Sequence, residues 1–226
     1  MMYTQITEEL KELLGMKGSP VAVMLAKTAL DIPAGYEKMP EKSRHCQFVQ
    51  DARLKGTKGY ATEAEHFCKG GAAVLGIEPM PENITTGEFY LKLGNFKTAE
   101  GARETMASIP KVSESYYASV YSPLESAEFE PDSVVLIVNP KQALRLSQAY
   151  LNEKGGRIAA DYSAIQSVCA DAVCAVKERG VLNMTLGCNG SRKNSGIADD
   201  EVIIGVPARN LPAMVEALKI FKEKWG

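Results

Sequence analysis

Ser133-Val-Val-Leu-Ile-Val-Asn-Pro-Lys-Gln-Ala-Leu-Arg-Leu-Ser-Gln-Ala-Tyr150 decides the fold class of this 226-residue chain. Its first six residues end an acidic, proline-containing stretch with an aliphatic run of strand length. Asn139 then supplies a helix cap and Pro140 a first helical residue, and Ala143, Leu146 and Tyr150 recur at helical spacing until Gly155-Gly156. A strand that turns straight into an amphipathic helix is the building unit of α/β folds.

The same reading extends outward in both directions. Val21 to Leu25, Tyr117 to Tyr121, Leu182 to Leu186 and Glu201 to Val206 read as further strands. Thr4 to Leu14, a segment from about Ser43, Lys69 to Leu75, Thr98 to Ile109, Ser163 to Arg179 and Leu211 to Lys224 read as helices, and Phe89 to Leu93 as a short apolar segment. No repeat, low-complexity tract or linker divides the chain. The expected architecture is α/β, a mixed sheet with packed helices, forming a single domain over residues 1–226 with one lobe or two.

Composition excludes several function classes. The 26 basic residues are balanced by 28 acidic ones, so no cationic surplus exists to neutralise a phosphate backbone, and nucleic acid is not expected as a partner. The segment from Met1 to Leu14 is polar and acidic, and no run approaches the roughly 18 apolar residues needed to cross a bilayer. No membrane association and a cytoplasmic location are therefore expected. Five cysteines are an odd number in a chain too long to need disulfide staples, which points to free thiols.

Three of those thiols sit near glycine: Cys68 in Phe-Cys-Lys-Gly-Gly, Cys188 in Gly-Cys-Asn-Gly, and Cys46 in His-Cys-Gln ahead of Gly56. Glycine flanks let the backbone bend around a bound atom, whereas a cysteine serving only as packing usually lies in an apolar run. Cys174, in Ala-Val-Cys-Ala-Val, has that apolar setting. On an α-helix Cys169 lies about 140° around from it, and precedes the polar Asp171. Cys46, Cys68, Cys169 and Cys188 are therefore the candidate ligand set, for zinc or an iron–sulfur cluster, both of which take anionic sulfur. Paired Cys-x-x-Cys knuckles are absent, so the fold must assemble any such site. Separate buried thiols are the plain alternative. His45 and His66 each lie near a cysteine, where they can serve as ligands, as proton donors or simply as hydrogen-bonded residues.

The stretch Gly187-Cys-Asn-Gly-Ser-Arg-Lys-Asn-Ser-Gly196 is a second constellation. Read as a loop, its backbone N–H groups form an anion nest, and Asn189, Gly190 and Arg192 are its candidate cofactor-binding residues, with the Arg192 guanidinium expected near Cys188 and facing a pocket. A solvated hairpin connection accounts for it nearly as well. It lacks the Gly-Lys-Ser/Thr ending of a phosphate loop. Tyr116, Tyr117 and Tyr121 read either as pocket lining or as sheet packing.

Arg44-His-Cys-Gln-Phe-Val-Gln-Asp-Ala-Arg53, Ala61-Thr-Glu-Ala-Glu-His-Phe-Cys-Lys-Gly-Gly71, Ser167-Val-Cys-Ala-Asp-Ala172, Asn183-Met-Thr-Leu-Gly-Cys-Asn-Gly-Ser-Arg192 and Glu201-Val-Ile-Ile-Gly-Val-Pro207, in that order, resemble domain-of-unknown-function family 169 of archaea and anaerobic bacteria. The resemblance spans nearly the whole chain. It implies a cytosolic protein with family thiols at Cys46, Cys68, Cys169 and Cys188, and a serine, Ser191, where many relatives carry a further cysteine. It implies no activity.

Three functions compete on this reading. The leading expectation is an iron–sulfur protein with a four-iron (4Fe-4S) cluster, serving redox or small-molecule chemistry in anaerobic metabolism with an electron-transfer partner. The second is a metal-free protein that binds a small anionic ligand through Gly187 to Gly196. The third is an interaction domain stabilised by zinc. The oligomeric state is not legible in the sequence.

Overall fold

A computed structural model describes residues 2–225; Met1 and Gly226, the ends of the span read as one domain, lie outside the described residues. The strands are β1 (Val21–Ala26), β2 (Gly59–Ala61), β3 (Ala118–Pro123), β4 (Ser133–Val138), β5 (Asn183–Thr185) and β6 (Val202–Val206). The helices are α1 (Met2–Leu14), α2 (His45–Lys55), α3 (Lys69–Val74), α4 (Glu82–Thr85), α5 (Glu88–Lys92), α6 (Ala99–Ser108), α7 (Pro140–Leu151), α8 (Ala175–Arg179), α9 (Asn189–Ser195) and α10 (Leu211–Trp225). A π-helix, Ser167–Cys174, runs directly into α8.

The strands form one sheet in the order β2-β3-β1-β4-β6-β5. Helices pack against it, as an α/β reading requires. Every pairing between these strands is antiparallel, and the parallel component of the expected mixed sheet is confined to two isolated bridges, Lys38 with Tyr60 and Ser43 with His66.

Side chains along β4 alternate between two apolar layers. Val134, Leu136 and Val138 join Leu10 of α1, Leu146 of α7 and Met214 of α10. Val135 and Ile137 face the other way and join Val49 of α2, Val74 of α3 and Val173 of the π-helix. Because both faces are covered, the strand reads as an unbroken apolar run rather than an alternating one. Asn139 caps α7 through a reciprocal capping box with Gln142, as its position ahead of proline requires. The helix ends at Leu151, before the glycine pair.

Two stretches differ from the sequence reading. Residues 163–166 are not helical: Ala164 (φ 58°) and Gln166 (φ 53°) occupy the left-handed region, and the helix that follows begins with π winding. The Gly187 to Gly196 stretch is not a loop but contains α9, with Cys188 as its cap and Gly196 (φ 71°) closing it in left-handed conformation. Serine and asparagine content disguised this short helix as a turn.

The π-helix lies unusually close to the sheet. A Cβ on Gly205 of β6 would stand 2.0 Å from the Ala172 carbonyl oxygen, so glycine is required for that contact. Ser133 Oγ donates to the same carbonyl at 2.7 Å.

Candidate functional site

Four short segments bring their cysteines to one place. Cys46 stands in the first turn of α2, whose Arg44 N–H is received by Gln47 Oε1 at 3.2 Å. Cys68 is the residue before α3, and Gly70 and Gly71 follow it. Cys169 is the third residue of the π-helix and donates its thiol to the Gln166 carbonyl at 3.1 Å. Cys188 caps α9, its sulfur accepting from the Ser191 N–H at 3.4 Å while Ser191 Oγ accepts from the Cys188 N–H at 2.9 Å.

All four line a single cavity of about 520 Å³. The sulfurs of Cys68 and Cys169 lie 3.5 and 3.6 Å from where a Cβ on Gly71 would stand, which puts them roughly 7 Å apart or closer. A side chain on Gly71 would enter the space between them. Cys174 does not line the cavity; it is fully buried and donates to the Val74 carbonyl at 3.2 Å. The separation of the two helix cysteines is not the one expected. In a π-helix residues five apart come close to one face, so Cys169 and Cys174 differ in position along the axis more than around it.

The thiols sense one another. Burial pushes Cys46 up to about 12, with the charges of Cys188 and Cys68 adding to the effect. Burial also raises Cys68, opposed by the N–H groups of Gly71 and Gly70. Cys169 is raised well above an ordinary thiol by burial and then by Cys68 and Cys188. Cys188 is the exception. Burial would raise it, but the Ser191 N–H and hydroxyl, assisted by Ser167, outweigh that effect and hold it below the ordinary range. Ser167 is wholly buried, and its hydroxyl reaches no partner at full hydrogen-bond geometry.

Among the described residues, no group of three or more His, Cys, Asp or Glu side chains stands so as to hold a metal ion. A single tetrahedral ion requires sulfurs about 4 Å apart, given bonds near 2.3 Å, whereas a four-iron cluster spreads its ligand sulfurs to about 6 to 7 Å. The Cys68 and Cys169 sulfurs, no more than roughly 7 Å apart, lie within the span of the wider group.

Neither histidine is solvated. His45 Nδ1 shares a hydrogen bond with Tyr121 OH (2.8 Å), Tyr121 OH with Ser119 Oγ (2.8 Å), and Ser119 Oγ with His66 Nε2 (2.9 Å). Burial lowers His45 to about 3, with His66 adding to the effect, and burial lowers His66 to about 4, so both imidazoles are neutral. Tyr121 follows the sheet-packing reading: it is fully buried in the core, does not line the cavity, and links the two histidines through its hydroxyl. Tyr116 is buried with Lys177 over its ring, and Tyr117 is half exposed; neither lines the cavity.

Arg192 is placed otherwise than expected. Asn189 and Gly190 line the cavity, but Arg192 does not. Its guanidinium donates to the carbonyls of Leu186, Ala198 and Glu201, tying α9 to the start of β6. Cys188 is the extended cap of α9 rather than a helical residue, and the carbonyls of Leu186, Ala198 and Glu201 hold the guanidinium away from the cavity. Glu201 in turn pairs with the buried Arg53 of α2.

Sequence reasoning passed over Gln166, Tyr90 and the cationic role of Arg44, all of which line the cavity. Gln166 carries no local signal, since only the left-handed backbone turns it inward. Arg44 lay within a quoted motif, beside His45 and Cys46.

The fold and site define a class, an antiparallel α/β protein with a thiol-lined cavity at the edge of one helical layer. The chain belongs to domain-of-unknown-function family 169, described as an uncharacterised ArCR family, whose profile matches residues 9–217. It is similar to the "Uncharacterized protein MJ0308" of Methanocaldococcus jannaschii, with 51% identity over 219 residues, covering 96% of this chain and 94% of the relative. No solved structure matches. Among the described residues no helix is long and apolar enough to cross a membrane.

Proposed function

We propose that Cys46, Cys68, Cys169 and Cys188 hold a four-iron iron–sulfur cluster, and that the protein serves redox or small-molecule chemistry of anaerobic metabolism together with an electron-transfer partner. The observation that carries this reading is the arrival of four thiols from four distant segments at one cavity, with the fifth thiol committed elsewhere. Cys46 and Cys169 also pack in the apolar layer, so it is the shared cavity of all four sulfurs and not their burial that supports the reading.

A bound cluster supplies one-electron transfer or, at an iron with an open position, Lewis-acid activation. The chain's own residues orient the sulfurs. The N–H groups of Gly70 and Gly71 act on Cys68, and that of Ser191 on Cys188, and donors to cluster sulfur favour the more reduced state.

The two alternatives have less support. A structural zinc ion needs three or four converged donors, and among the described residues no such group stands so as to hold an ion. Anion binding by Gly187 to Gly196 loses Arg192, which serves backbone carbonyls, and its second cation, Lys193, is exposed and does not line the cavity.

Anaerobic purification followed by iron, sulfide and zinc analysis tests the proposal. Brown protein with broad visible absorbance and near-equal iron and sulfide is the expected result. Colourless protein with stoichiometric zinc, or with no metal after reconstitution with iron and sulfide, would overturn it.

A further inference from the structure

The cavity is larger than four thiols require, and three features of its walls bear on what else enters it. The first is charge. Among the described residues no aspartate or glutamate lines the cavity, whereas Arg44 and Lys69 do. Lys69 is neutralised by Glu78 and Glu63. Arg44 makes no ion pair among the described residues; its guanidinium lies 4.5 Å over the Phe67 ring and donates only to Gln47 Oε1, at 3.3 Å. Most of its five N–H donors are therefore free for a planar anion.

The second feature is an acceptor with no partner. Gln166 is 4% exposed; its Nε2 donates to Tyr90 OH at 3.2 Å, and its Oε1 has no hydrogen bond. A buried acceptor left without a donor destabilises the fold, and the left-handed backbone that holds it there adds to the cost. Glycine at position 70 leaves the space the amide occupies, since a Cβ there would stand 2.5 Å from Nε2.

The third is apolar surface. Phe67, Phe89 and Leu93 line the cavity yet are 55, 41 and 61% exposed, so they form an uncovered apolar rim. A volume near 520 Å³ is of the size that takes a metabolite-sized molecule.

We propose that the cavity binds a small organic anion with an apolar, aromatic body, its charged end on Arg44, its body against Phe67 and Phe89, and an N–H or O–H group donating to Gln166 Oε1. The proposal names the ligand of the site described above and rests on that cavity being the functional site, though not on its metal. It moves the anion-binding role from Arg192 to Arg44.

The test uses two series of probes, read by calorimetry and ligand-observed NMR on anaerobic protein. One is indoleacetate, N-methylindoleacetate and tryptamine; the other is hydroxyphenylacetate, methoxyphenylacetate and tyramine. The acid with a free donor in at least one series is expected to bind, methylation of the donor to weaken it about tenfold, and the amine to show no binding. Arg44→Leu is expected to remove the preference for acid over amine, and Gln166→Leu the preference for free over methylated donor. The two residues lie on separate elements and the wild-type series needs no variant, so one misfolded variant does not stop the test. Absence of binding by both acids, equal binding of acids and amines, or preferences that survive in the variants would overturn the proposal. Iron and sulfide are measured on the same samples. Acid binding by metal-free protein keeps this proposal while removing the cluster, and iron without acid binding does the reverse.

Discussion

The two faces of the sheet are built on different terms. On the face covered by α1, α7 and α10, the packed residues are mostly aliphatic, with Thr7 of α1 a buried polar exception, and α7 carries a capping box. The face covered by α2, α3 and the π-helix buries His45, His66, Ser119, Gln166, Ser167 and Asp171 among its apolar residues. It also carries the π winding and both non-glycine residues in the left-handed region. Local rules that agree with one another build stability, and a cluster of departures from them on one side marks where the molecule accepts cost for function.

The comparison is broken most severely at Gly205, where the strained layer rests on the sheet. Gly205→Ala forces a Cβ against the Ala172 carbonyl, a backbone atom that cannot swing aside. A loss of more than about 4 kcal/mol in denaturant unfolding, together with loss of any bound iron, is expected. Leu146→Ala on the opposite face sharpens the contrast. It leaves a cavity in a largely aliphatic layer and should cost about 2 to 5 kcal/mol while iron content and ligand binding per folded molecule stay unchanged.

Asp171 gives the thiol face its own pH dependence. Burial pushes this carboxyl up to about 7 from 3.8, against the Thr185 hydroxyl that donates to it at 2.8 Å. The folded state keeps its proton in a range where the unfolded chain has lost it, so stability from this group is full below about pH 4 and falls as pH rises to about 7. Asp171→Asn should flatten that slope and leave the protein roughly 2 kcal/mol or more stabler than wild type at pH 8, measured by urea unfolding across the range. A wild-type slope retained by the variant would remove Asp171 as its cause.

Arg192 provides the smallest effect. Arg192→Ala leaves carbonyls at Leu186, Ala198 and Glu201 short of a donor and should cost about 1 to 3 kcal/mol in thermal or urea unfolding, with unchanged iron content and reduction potential. A shifted potential with unchanged stability would return Arg192 to the site.

What was legible in the sequence follows the same division. The run Ser133 to Val138, the Asn139-Pro140 start and the apolar spacing of α10 are local signals, and the aliphatic face follows them closely. Three cysteines stood out because glycine near a thiol has a local physical reason, and Cys169 because the polar Asp171 follows it. Gln166 had none: its place in the cavity depends on a backbone conformation that its side chain does not favour, imposed by packing of distant segments. The helical content of Asn189 to Ser195 was hidden for a related reason, since Ser and Asn favour turns unless a cap such as Cys188 fixes the first N–H groups. Antiparallel pairing throughout the strands was likewise decided by chain routing rather than by strand composition.

The most direct test of the central claim compares the five cysteine variants, each changed singly to alanine, for iron and sulfide bound after anaerobic purification. Loss of iron and visible absorbance in Cys46→Ala, Cys68→Ala, Cys169→Ala and Cys188→Ala, with retention in a folded Cys174→Ala, is the predicted result. Iron content indifferent to the four cavity thiols, or dependent on Cys174 as strongly as on them, would contradict it.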